Sequence, residues 1–132
     1  MPYYNQTGVP VTLGVREAET MWSAINDKLD RDTKDSFARS LIKTLEAKWN
    51  NFVYARGEYE RAYKDMMQNS HMRFASPSGE WAYREAVKKK NLKENTLMLR
   101  AREVKDSIQR MKNSHPEIFI AVSDDKNPEP NA

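Results

Sequence analysis

The 132 residues amount to about one domain, and with 39% hydrophobic against 31% charged residues the chain is too polar for a large compact core. The absence of cysteine excludes disulfides, thiolate catalysis and Cys-containing zinc sites. A net charge of +3, no run of about 18 apolar residues and no basic start followed by an apolar stretch argue for a cytoplasmic protein with no membrane partner, no membrane span and no secretory leader.

A mean hydropathy of −0.90 alongside three Trp, six Tyr and seven Met is too aromatic for a disordered polymer and too poor in Val and Ile for sheets. The chain breakers divide the sequence. Residues 1–14 hold two prolines and two glycines without any period, and read as a flexible N-terminal arm. Val15, Ala18, Trp22, Ile25 and Leu29 then recur at steps of three and four, one stripe of a first helix over 15–29. Asp30, Asp32 and Thr33 offer side-chain oxygens to the free amides of a second helix, with Asp35 in its first turn. From Ala38 through Ile42, Leu45, Trp49, Phe52, Tyr59 and Tyr63 to Met66 a seven-residue repeat runs for about four heptads, giving a helix over 32–70.

Ser76, Pro77 and Glu80 have the types and order of a helix start, and the third helix, 77–113, repeats the heptad through Tyr83, Val87, Leu97, Ala101, Val104, Ile108 and Met111. Two long helices joined by a short link fold back as an antiparallel hairpin. The tail 115–132 contains a short apolar segment, 118–122, suited to docking on the bundle or pairing as a strand, before a polar end. The expected architecture is all-α: an elongated antiparallel hairpin with a shorter N-terminal helix packed on it. It closes as a three-helix bundle or, in a dimer, as a four-helix-type bundle.

Motifs for chemistry are missing. The sequence has no phosphate-binding glycine loop, no metal-binding His-Glu-x-x-His or Glu-x-x-His and no nucleophile elbow. His71 and His115 fall at opposite ends of the hairpin, too far apart for a shared metal, and the acidic pairs are explained by capping or solvation. The chain therefore reads as a non-enzyme with no cofactor and no metal.

Charge and apolar residues off the core stripes supply the remaining signals. Between 78 and 114 ten Lys and Arg face five acids, a net of +5, while 115–132 carries −3. Lys88, Lys89 and Lys93 form the densest cluster, which suits an acidic protein surface or, as the alternative, nucleic acid. Leu92 and Leu99, seven residues apart, point away from the core side, and Phe37 and Leu41 widen the stripe of the second helix. A second apolar seam asks for a second partner, in part the first helix and in part another molecule. Arg56, Lys90 and Glu94 occupy core positions; counted outward from a link near residue 74 they form a structural polar layer, with Arg56 pairing Glu94 and Lys90 reaching solvent. The function read from these features is protein–protein interaction through helix faces, as an adaptor, inhibitor or assembly factor, in a homodimer or higher oligomer; the alternative is a nucleic-acid-binding helical protein using the basic third helix.

Overall fold

A computed structural model describes residues 3–4 and 8–120. It is an all-α bundle of three helices, α1 (Leu13–Asn26), α2 (Ser36–Ser70) and α3 (Pro77–Ser114), preceded by a minimal ribbon in which β1 (Tyr3–Tyr4) pairs antiparallel with β2 (Pro10–Val11). A 3-10 turn, Pro116–Ile118, follows α3.

Capping chemistry sets the boundaries. Asp35 is the N-cap of α2, its carboxylate accepting from the amides of Phe37 at 2.9 Å and Ala38 at 3.3 Å, while the Thr33 hydroxyl accepts from the Asp35 amide. This cap lies a few residues beyond the one the sequence suggests, so residues 30–35 are a connection instead of a helix start. Ser76 caps α3 by accepting from the Gly79 amide at 3.0 Å, with Pro77 in the first turn and Glu80 against the positive end of the dipole. At the end of α1, Arg31 donates to both the carbonyl and the side chain of Asn26, placing a cation where the dipole is negative. Leu29, expected inside the first helix, pairs instead in an isolated antiparallel bridge with Phe119. Asp30 N–H donates to the Ile118 carbonyl and Ile120 N–H to the Lys28 carbonyl, so the α1–α2 connection and the chain after α3 clasp each other at the base.

Phe37 against His115 near the base and Glu58 against Lys93 further along give the antiparallel register of α2 and α3. Helix α1 lies along this hairpin antiparallel to α2: Glu19 meets Arg56, Trp22 stacks on Trp49 with ring centroids 5.0 Å apart, and Arg31 meets Glu46. On the α3 side, Lys105 reaches Glu17 at 2.9 Å. Phe52, Leu45, Leu97, Ile108 and Ile118 are fully buried between these layers; each large apolar side chain so enclosed contributes about 2 kcal/mol. The N-terminal stretch expected to be a flexible arm supplies core residues of its own. Val9 and Val11 are buried, and the Tyr59 hydroxyl donates to the Pro10 carbonyl at 2.7 Å, because the head of α1 leaves the upper end of the core open for them. Of the apolar segment 118–122, Ile118 docks into the core, Phe119 is half-buried and Ile120 is exposed; residues 121–122, like the rest of the tail, lie outside the described residues.

The core stops well short of the link. Ala62 is the last buried residue of α2 and Ala86 the first of α3, so none of residues 63–85 is buried and the hairpin extends past its own core.

Candidate functional site

Helix α3 shows two surfaces. Its inward side carries Ala86, Leu97, Ala101, Val104 and Ile108 against α1 and α2. Leu92, at 66% exposure, and Leu99, at 46%, lie about 20° apart on the opposite side. Lys88 falls on this outward stripe. Lys93 turns toward α2, where it pairs with Glu58 at 3.0 Å, and Lys89 lies off the stripe on that same side of the helix. The basic cluster of the sequence is thus divided between faces, and several of the cations near it are tied to acids, Arg84 to Glu80, Lys88 to Glu85 and Arg100 to Glu103.

Arg56, Lys90 and Glu94 do not meet as one layer. Arg56 Nη1 donates to Glu19 Oε2 at 2.7 Å, and its guanidinium lies over the Phe52 ring at 5.6 Å. Lys90 stays with Glu94 on its own helix at 3.5 Å, its side chain only 20% exposed. The correction has two causes. Helix α1 brings a third acid, Glu19, into the groove, and Glu58 rather than Arg56 stands across from Lys93. Lys90 and Glu94, with Tyr59, Tyr63 and residues 10–13, line a hollow of about 250 Å³ under the ribbon. Burial pushes the Tyr59 phenol up to about 12, and the negative charges of Glu94 and Glu60 and the Tyr63 phenol act in the same direction. On the face of the hairpin away from α1, a cleft of about 260 Å³ is lined by Asn51, Tyr54, Glu58, Lys93, Thr96 and Arg100. Hydrogen bonds first from Arg61 and then from Lys93 hold the Glu58 carboxyl below the usual carboxylate range, so the acid within this cleft is already neutralised.

The end of the hairpin is a third surface. Met67, Met72, Phe74 and Trp81 are exposed by 46%, 54%, 86% and 65%. The turn carrying them is nonetheless ordered by specific contacts. The Arg73 guanidinium lies over both the Phe74 ring, at 5.0 Å, and the Tyr83 ring, at 4.9 Å. Gly79 packs against the link so closely that a Cβ there would overlap the Met72 carbonyl oxygen. Trp81 lies off the heptad stripe of the third helix in the sequence; Phe74 and Met72 give no comparable signal, since a link between helices accepts any residue type, and Met67, in the last turn of α2, is one residue off the heptad position Met66.

Among the described residues no group of three His, Asp or Glu side chains is placed to hold a metal ion, and no helix is long and apolar enough to cross a membrane. No protein-family model matches this chain, and no significant match is found among curated proteins or among solved structures. The class defined by the geometry is an all-α three-helix protein whose surfaces are ridges and an end.

Proposed function

We propose that this protein is a non-enzymatic helical interaction module, and that the outward stripe of α3 pairs with the same stripe of a second copy. The observation that carries this reading is the exposure of Leu92 and Leu99 on the side of α3 opposite the core. Antiparallel pairing about a twofold axis near residues 95 and 96 sets Leu92 of one protomer against Leu99 of the other, and the symmetry makes that contact twice. The same register faces Lys88 with Glu103 and brings Arg84 beside Asp106, so charge as well as apolar surface is self-complementary. A nucleic-acid reading draws less support, because the cations near the cluster are distributed over two faces and several are tied to acids.

Sedimentation velocity over a concentration series tests the pairing. The wild-type chain should move from 15.4 kDa to twice that mass, while the Leu92→Asp, Leu99→Asp double variant should stay monomeric with unchanged helix content, since both leucines lie outside the core. A wild-type chain that stays monomeric at high micromolar concentration, or a double variant that still dimerises, refutes the proposal.

A further inference from the structure

The exposed end of the hairpin combines three properties that the bundle does not require. First, it is apolar where it protrudes: Met67 and Trp81 lie within about 6 Å of the link along their helices, and Met72 and Phe74 are in the link itself. Second, it is shaped by the capping serine, the Arg73 stack and the close approach at Gly79, so the apolar groups are held out on a built turn. Third, it is the positive pole of the molecule. Residues 61–90 carry seven Lys and Arg against three acids, a net of +4; the other described residues, 8–60 and 91–120, hold fourteen Lys and Arg against thirteen acids, a net of +1. Lys64 stands about 9 Å behind the link and Lys89 about 18 Å behind it, while Arg84, Lys88 and Lys90 nearby are tied to Glu80, Glu85 and Glu94 on their own helix.

From this arrangement we infer that the hairpin end inserts its apolar side chains into the interfacial region of an anionic lipid bilayer while the basic collar contacts the headgroups. Shape favours a bilayer over a protein partner. Two adjacent helices, each about 10 Å across, end in a face of only about 200 Å², whereas a stable protein interface covers about 800 Å² per partner. A bilayer accepts such an end by letting it sink about 5 to 10 Å, the depth over which Met67, Met72, Phe74 and Trp81 are distributed, and cations just behind that depth meet lipid phosphate and carboxylate groups. The contact is with the surface, and it needs no spanning helix.

Tryptophan emission and vesicle flotation test this directly. Trp22 and Trp49 are stacked on each other against the core, whereas Trp81 is exposed, so Trp81 dominates any change on binding. Vesicles of phosphatidylcholine containing about one-third phosphatidylserine should float the protein at least about tenfold better than phosphatidylcholine alone, with a blue shift of emission and a loss of binding in high salt. Met72→Ser with Phe74→Ser should abolish most of this binding with the helical spectrum unchanged. Trp81→Phe should retain binding but lose the shift, and Lys64→Gln with Lys89→Gln should weaken binding to the anionic vesicles severalfold. Equal partition into both vesicle types, absence of a blue shift, or tip variants that bind like the wild type overturn the inference. So does a tip that fails to bind vesicles and instead drives self-association that Met72→Ser with Phe74→Ser removes. Because Leu92 and Leu99 lie outside the tip, their aspartate double variant should still bind vesicles, which separates this inference from the pairing proposed for α3.

Discussion

Breaking the Arg56–Glu19 pair tests how α1 is held on the hairpin. The two groups meet at 2.7 Å with side-chain exposures of 29% and 18%, between the exposed pairs that contribute about 0.2 to 1 kcal/mol and fully buried pairs, whose disruption costs about 3 to 5 kcal/mol. A charge-assisted bond in this setting should couple the two residues by about 1 to 1.5 kcal/mol. Glu19→Gln should destabilise by about 1.5 to 2 kcal/mol, because it leaves the half-buried Arg56 charge without its carboxylate, and Arg56→Met by about 1 to 1.5 kcal/mol, because Glu19 keeps Arg16 at 3.7 Å; the double variant should cost less than their sum by the coupling energy. Arg16, which also approaches Glu19 at 3.7 Å, is present in every arm of the cycle. Urea unfolding followed by circular dichroism measures each arm, and in thermal unfolding a change of 1 kcal/mol should appear as a shift of about 3 to 5 °C. The matching cycle of Arg56→Met with Glu94→Gln should be additive within about 0.5 kcal/mol. A larger coupling with Glu94 than with Glu19 would refute the assignment of α1 to this groove.

The two glycines of the distal hairpin should respond oppositely to alanine. Gly57→Ala, which meets only the Arg61 guanidinium at 3.7 Å, should raise stability by about 0.5 to 1 kcal/mol, whereas Gly79→Ala must move the Met72 carbonyl and should open the link to limited proteolysis. Tyr59→Phe removes the bond to Pro10 and should cost about 1 kcal/mol near neutral pH. The unfolded phenol ionises near pH 10 and the folded one near 12, so between these values the folded chain holds the extra proton and the contribution of Tyr59 to stability falls as pH rises, while below about pH 10 it is constant. The stability difference between wild type and Tyr59→Phe, measured by denaturant titration, should therefore shrink across that window; a constant difference refutes the burial of the phenol.

The long helices were legible because heptads sustained over many turns and Ser76-Pro77 next to Gly79 are strong local signals. The same local reasoning could not see which partner a core-position cation would find, since Glu19 reaches Arg56 only after α1 has folded back along α2. Nor could it recognise Val9 and Val11 as core, because their burial depends on the space beside the head of α1 and not on any period in residues 1–14. Leu92 and Leu99 were visible as off-stripe residues, and the structure places both on the surface. Lys88, Lys89 and Lys93 were grouped by adjacency in the chain, but successive residues on a helix are rotated by about 100°, which sends Lys93 to Glu58 and Lys88 to the outward side.

The clasp at the base governs the order in which the molecule can assemble. Helices α2 and α3 are close in sequence, yet none of residues 63–85, nearest the link, is fully buried, and Tyr63 packs only in part against the core, so closing the turn brings little return until Ala62 and Ala86 are reached. Contacts of α1 arrive later still: Glu17 and Lys105 are 88 residues apart, and Leu29 pairs with Phe119 across a span that includes all of α2 and α3. Such long-separation contacts pay a large loop-closure entropy before they are rewarded, which places the docking of α1 and the Leu29–Phe119 bridge after the hairpin on the folding route. Once formed, they tie the α1–α2 connection to the chain after α3, so the base must open as a unit, while residues 64–85 can fluctuate without disturbing a buried core side chain.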